Sequence, residues 1–249
     1  MLNDAALWRE VGVAGVRAIR AAERDANRDA LTTVSARSLR HPFTVRHGTT
    51  DVGEFVFTVC RGMYARGLPP RAHAVLDLGA HIGDTGAWFL SRFPEATVVS
   101  VEPDRDNYAM AARNLALYGA RSLLIQAAIW HEDGDVSVRA NRDWPSGSHV
   151  SADLGGDRVR AISIATLLRE QGIADLAVLK CDIEGAEAAV FAADPDPWLS
   201  RTGVLAIEIH SRDAKAAVDA ATARCGFGPG VRRRDVTVFT RPARGLARP

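Results

Sequence analysis

The sequence predicts an α/β protein whose mostly parallel sheet carries helices on both faces. Three observations predict it. From Ala74 onward, short apolar runs alternate with helical patterns, as crossover-connected strands require. The first run, Ala74 to Leu78, ends in a turn holding Gly79 and Gly83 and passes straight into a helical segment, Thr85 to Arg92. A strand, a glycine turn and a helix N-terminus make a site for a nucleotide-like ligand. Each strand of the sheet then ends in polar residues, and ligands in such sheets bind beyond the carboxyl ends of the strands.

The elements follow in order. Residues 5 to 29 hold small and apolar positions at helical spacing, opposite an arginine-rich face, and predict one or two amphipathic helices. Leu39 to Val45 is extended and contains Pro42. Thr49-Thr-Asp51 offers N-cap chemistry for a helix running through Phe55, Val59 and Met63 toward Tyr64. Gly67-Leu-Pro-Pro70 breaks that helix, dividing an N-terminal extension or lid (1–70) from the main domain (71–241). After the first strand, Thr97 to Val101 is a second, Asp104 to Tyr118 a helix ending at Gly119, and Ser122 to Ile125 a third strand. Asp135 to Arg139 and Arg158 to Ile162 read as a pair of outer strands around a polar loop, Asn141 to Asp157, where Trp144 suits an acceptor lid. Ile164 to Gln171 is a short helix. Leu176 to Cys181 and Val204 to Ile209 are strands, with a helix from Glu187 to Ala192 between them. Lys215 to Arg224 is helical, Val236 to Thr240 is a last strand, Arg232-Arg-Arg234 reads as a solvated turn, and 242–249 is a loose tail.

Composition bounds the function. A 47% hydrophobic content fills a real core, and 31 basic against 30 acidic residues leave no electrostatic footprint for nucleic acid or an anionic membrane. The cysteines Cys60, Cys181 and Cys225 match neither a zinc spacing nor a disulfide framework, so a reducing cytoplasm is the expectation. The expected partner is a small molecule. Homo-oligomerisation stays open.

The glycine turn narrows the ligand. A dinucleotide fold needs G-x-G-x-x-G to seat a pyrophosphate on the helix N-terminus. Here Gly79-x-x-x-Gly83 is flanked by Asp77 and Asp84, which would repel a pyrophosphate and suit an ammonium and a sulfonium. The ligand is therefore S-adenosylmethionine rather than NAD. Glu102, at the end of the second strand and followed by Pro103, is placed to accept hydrogen bonds from two ribose hydroxyls.

Taken together, Asp77-Leu-Gly-Ala-His-Ile-Gly-Asp84, Val101-Glu-Pro103, Gln126-Ala-Ala128, Leu179-Lys-Cys-Asp-Ile-Glu-Gly-Ala-Glu187 and Ile207-Glu-Ile-His210 resemble the FkbM family of S-adenosylmethionine-dependent methyltransferases. The likeness runs from about Thr49 to about Phe239, and the K-x-D-I-E-G-A-E block is its most specific part. It departs at His81, where the family usually has asparagine, and at Cys181. The resemblance implies a Rossmann-like class I sheet of seven strands and O-methylation of a sugar or polyketide-type hydroxyl in natural product biosynthesis. On this reading Asp77, Gly79, Ala80, His81, Gly83, Asp84, Glu102, Pro103, Gln126, Ala127, Ala128 and Asp182 hold the cofactor. N-methylation of a small molecule and NAD-dependent oxidation are the alternatives.

A hydroxyl needs its proton removed or its pKa lowered during attack, by a general base or a divalent cation. Asp182, Glu208 and His210 stand at adjacent strand ends, so His210 is the expected base, Asp182 a catalytic partner, and Asp182 with Glu208 ligands for Mg²⁺. Asp182 is equally placed to cap the following helix, and Glu184 and Glu187 read as first-turn helix acids. Tyr64 and Asp51 could reach the site from the N-terminal lid.

Overall fold

The computed structural model describes residues 5–139, 149–151 and 157–242. In chain order its strands are β1 (Leu31–Val34), β2 (Phe43–Arg46), β3 (Ala74–Leu78), β4 (Thr97–Val101), β5 (Ser122–Ile125), β6 (Ala128–Ile129), β7 (Gly134–Arg139), β8 (His149–Ser151), β9 (Asp157–Ile162), β10 (Leu176–Cys181), β11 (Thr202–Glu208), β12 (Val231–Arg233) and β13 (Val236–Thr240). The α-helices are α1 (Ala5–Arg24), α2 (Asp51–Phe55), α3 (Asp84–Arg92), α4 (Arg105–Leu115), α5 (Ile164–Glu170), α6 (Glu187–Ala192), α7 (Asp196–Leu199) and α8 (Arg212–Arg224).

Seven strands form the central sheet in the order β12-β13-β11-β10-β3-β4-β5. The pairs from β11 to β5 are parallel, and β12 and β13 turn back as an antiparallel edge. The chain proceeds from β3 outward to β4 and β5, then returns to β10 on the other side of β3. The carboxyl ends of β3 and β10 therefore flank the point where strand order reverses, which is where ligands bind in open α/β sheets. The inner strands are continuous apolar runs because helices cover both faces. Val75, Val98, Val178 and Val204 join one core with α3 and α4, while Leu76, Val99, Leu179 and Leu205 join a second core with α5, α6 and α8.

The N-terminal extension shares the first of these cores. Leu7, Val16 and Ile19 of α1, Phe43 and Val45 of β2, and Phe55 and Val59 pack with Phe89, Leu90 and Ala111 of the main domain. Within α1, Gly12 takes a left-handed φ of 65° and kinks the helix into two segments.

Several elements differ from the sequence expectation. The helix beginning at Asp51 loosens into a π-helix, Val56–Cys60, and stops before Tyr64. The helix beginning near Asp104 gives way after Leu115 to a 3₁₀ turn, where Gly119 has φ 63°. Strands β7 and β9 pair antiparallel, yet in a separate four-stranded sheet (β6-β9-β7-β8) rather than at an edge of the main one. Arg232 and Arg233 lie in edge strand β12, and only Arg234, with φ 56°, makes the turn. Strand β1 and helix α7 were too short to leave a periodic signal. Trp144 and most of the loop around it lie outside the described residues, as does the tail beyond residue 242.

Candidate active site

Above the ends of β3 and β10 lies a cleft of about 670 Å³. Of the residues expected at the cofactor, Gly79, His81, Asp84, Glu102, Pro103, Ala127 and Asp182 line it. Asp77, Ala80, Gly83, Gln126 and Ala128 are not among its lining residues. Asp77 sits beneath the floor, fully enclosed, where its Oδ2 accepts a hydrogen bond from the Ser100 hydroxyl at 3.2 Å. Ala128 is buried in the second sheet, and the Gln126 side chain is exposed.

The glycines serve chain packing more than ligand approach. A Cβ at Gly79 would lie 1.8 Å from the carbonyl oxygen of Asp182, and the residue's φ is 76°. Only glycine allows the end of β3 to pass the end of β10 this closely. Gly83, with φ 84°, lies against Leu115 and Ala111 of α4. Between them His81 holds an unusual φ of 49°, matched across the cleft by Glu184 at 45°. Backbone strain of this kind in non-glycine residues gathers at ligand sites.

Glu102 organises the glycine turn. Its carboxylate accepts the backbone N–H of His81 at 2.8 Å and that of Asp104 at 3.0 Å. Burial still pushes its pKa up to about 8. Each carboxylate oxygen keeps a lone pair for a further donor such as a ribose hydroxyl.

The extension closes one wall. Arg46 grips Asp51 with Nε and Nη2 at 2.9 and 2.8 Å, and its Nη2 also reaches Asn107 at 2.7 Å. Asp51 in turn lies 3.5 Å from Nε2 of His81. Burial holds the His81 imidazole below its ordinary pKa, hence neutral, and neither ring nitrogen has a hydrogen-bond partner among the described residues. Asp51 thus reaches the site through His81 and is not itself part of the lining.

Several lining residues escaped the sequence reading of individual side chains, among them Thr58, Thr85 and Asn107 and the two charged side chains Lys180 and Glu54. Lys180 is 2% exposed; its ammonium donates to the carbonyls of Leu78 and Gly79 and stands 3.4 Å from Asp77 and 4.0 Å from Asp182. A lysine inside the apolar run of β10 was the available signal, since a buried ammonium must find a counter-charge. Glu54 is raised to about 8 by burial and by its acidic neighbours Asp84, Asp182 and Glu208. Its signal was the polar stripe Asp51, Glu54, Thr58, spaced three and four apart on an otherwise apolar helix.

At the cleft mouth the structure brings Asp182, Glu208 and His210 together: one ligand atom from each falls within 4.8 Å of the others. Tyr64 donates its hydroxyl to Glu208 at 2.9 Å. Burial, then the charge of Asp182, raise Glu208 to about 7. Nδ1 of His210 bonds Glu187 at 2.8 Å, leaving Nε2 directed at Asp182 and Glu184, each at 3.7 Å. The Glu187 hydrogen bond lifts His210 to about 9. At neutral pH His210 is therefore an imidazolium, and it becomes a base only once deprotonated. Glu187 is fully buried and orients this ring, a role beyond that of a first-turn helix acid.

These residues suit a doubly cationic ligand. Five acids, Glu54, Asp84, Glu102, Asp182 and Glu184, face a cleft with one lysine. Buried Oδ1 of Asp182 has no hydrogen-bond donor among the described residues, which an amino acid ammonium would supply. Glu102 would hold the ribose, and Val101, Ala127 and Ile129 would form the apolar wall for the base. Such a cleft at the reversal point of a parallel seven-stranded sheet defines an S-adenosylmethionine-dependent methyltransferase of the Rossmann-like class. The sequence model described as "Methyltransferase FkbM domain" matches residues 77–227, and the chain belongs to that family.

No curated protein matches the sequence. Among solved structures, the precorrin-6y C5,15-methyltransferase of Geobacter metallireducens GS-15 is similar at 10% identity and TM-score 0.42, over 70% of this chain and 82% of that one. M. capricolum TrmK, solved with S-adenosyl-homocysteine, is similar at 7% identity and TM-score 0.43, over 72% of this chain and 66% of that one. No helix among the described residues is long and apolar enough to cross a membrane.

Proposed function

We propose that the chain methylates a hydroxyl oxygen of a small molecule, of the sugar or polyketide type that the family resemblance suggests. The observation that carries this reading is the convergence of Asp182, Glu208 and His210 at the mouth of the cofactor cleft. S-Adenosylmethionine supplies an electrophilic methyl group and departs as a neutral thioether. The chain's task is then to position the acceptor oxygen in line and to receive its proton.

His210 takes that proton at Nε2, since Nδ1 is committed to Glu187. Glu208, held by Tyr64, and Asp182 orient the hydroxyl. Asp182 and Glu208 also offer two carboxylates to a hard divalent cation such as Mg²⁺, which would acidify the hydroxyl.

Incubation with S-adenosylmethionine carrying a ¹³C-methyl group and a panel of hydroxylated metabolites tests the reading by NMR of the product. A methoxy carbon is expected; a methyl group found on nitrogen would overturn it. Parallel reactions after EDTA treatment decide the metal role, which unchanged turnover would remove.

A further inference from the structure

A second and larger concavity opens beside His210. It is a groove of about 1460 Å³, open to solvent, between α8 and the antiparallel edge β12–β13. Its long wall is apolar, formed by Ile209, Phe227 and Phe239. Its rim is cationic: Arg212 and Lys215 stand on the first two turns of α8, and Arg232 faces them from β12.

Two features set this rim apart from an ordinary solvated face. Arg212 stands at the N-terminus of α8, where a cation opposes the helix dipole and only Asp213 in the same turn offsets it. Arg212 also pairs with no described residue, whereas Lys215 already bridges Asp219. The opposing acids are few: Asp219 is engaged in that bridge, and Asp235 lies at the β12–β13 turn.

The polarity is the reverse of the cofactor cleft. The cleft lining is acidic, with Glu54, Asp84, Glu102, Asp182 and Glu184 against a single lysine, and so offers an anionic group little to pair with. Such a group would be attracted by Arg212 and Arg232 in the groove. His210 lines the groove, and its Nε2 lies 3.7 Å from Asp182 and Glu184 of the cleft. We propose that this groove is the acceptor site, and that it takes a molecule with an apolar body and an anionic group, a phosphate monoester or a carboxylate. Arg212 and Arg232 anchor the anion, the apolar body lies along the groove, and the hydroxyl reaches His210. The proposal rests on the small-molecule methyltransferase reading above and adds the class of acceptor.

Binding titrations test it on the full chain saturated with S-adenosyl-homocysteine, with 2-naphthyl phosphate, 2-naphthoate and neutral 2-naphthol as probes. At least one anion is expected to bind about tenfold or more tighter than naphthol, and the arm that does so identifies the source of the charge. Arg212→Gln and Arg232→Gln are each expected to remove most of that advantage, with unchanged melting temperature and unchanged affinity for S-adenosyl-homocysteine. Equal binding of all three probes, or anion binding that both variants leave intact, would overturn the assignment. The readout is affinity alone. A failure here leaves the ¹³C product experiment standing, and a nitrogen-methylated product there leaves this result standing.

Discussion

Lys180 and Asp77 lie directly opposite each other in the neighbouring parallel strands β10 and β3, with Nζ 3.4 Å from Oδ1 and both side chains enclosed. The pair braces the cofactor cleft from below, and the Lys180 ammonium ties it to the carbonyls of Leu78 and Gly79 at the start of the glycine turn. Removing one partner leaves the other charge buried and uncompensated, which costs about 3–5 kcal/mol. Lys180→Met should lose stability of that order in urea denaturation and weaken S-adenosylmethionine binding. A double variant, Lys180→Met with Asp77→Leu, should recover much of the stability, because no bare charge remains. If the single variant were as stable as the wild type, the pair would not be bracing the site.

Gly79 makes a sharper prediction. An alanine there places a methyl group 1.8 Å from a backbone oxygen on a residue with φ 76°. Both neighbours are backbone, so no side chain can swing aside, and the ends of β3 and β10 must separate. Gly79→Ala should fail to accumulate as soluble protein or lose more than about 3 kcal/mol, well beyond the usual range for a point substitution. Gly119→Ala provides the comparison: its φ of 63° is similar, but a Cβ there meets nothing within 4 Å. That variant should still accumulate as soluble protein and lose only the cost of holding alanine at φ 63°, ψ −144°, about 1–3 kcal/mol.

The ligand-free cleft should make the protein sensitive to alkali. Glu54 and Glu102 are raised to about 8 and Glu208 to about 7, chiefly by burial, while His210 is raised to about 9 by Glu187. Each group binds its proton more tightly folded than unfolded. Its stabilisation is complete below the unfolded pKa, near 4.5 for the glutamates and 6.5 for histidine, and is lost as pH rises through the folded value. The melting temperature of the free chain should therefore fall between about pH 5 and pH 9. A cationic ligand compensates the same carboxylates, so the rise in melting temperature on adding S-adenosylmethionine should grow across that window. A ligand-induced shift that is flat with pH would contradict this account.

The sheet was legible because its inner strands are buried on both faces and read as apolar runs; β3, β4 and β10 have the boundaries expected from sequence, as do β13 and the half-buried edge strand β5, whose residues are also apolar. Strand β12 was not legible, since an exposed edge of three residues containing two arginines has no apolar period to detect. The site was legible at the level of strand ends. Glu102 and Asp182 line the cleft because the carboxyl ends of parallel strands converge there, which topology alone dictates. What the sequence hid was depth: Asp77, inside the strand, pairs with Lys180 under the floor, whereas Asp84, just past the turn, faces the ligand space. The reach of the extension was hidden as well, because Glu54 and Tyr64 meet Asp182 and Glu208 only through tertiary packing.

Glu187 supplies the last prediction. Its carboxylate is fully buried and accepts from Nδ1 of His210 at 2.8 Å, and this bond is the largest cause of the rise in His210 to about 9. If His210 is the base, kcat/KM should climb with pH to a plateau above that value, because the profile of kcat/KM reports the free enzyme. Glu187→Gln keeps a side chain of the same shape and removes the charge that favours imidazolium. The midpoint of the climb should then move down toward 6.5, with the plateau lower because the ring is less firmly oriented. A direct NMR titration of the His210 imidazole in both proteins should show the same displacement. A midpoint that stays in place in both experiments would separate Glu187 from the chemistry and leave it as a helix-terminal acid.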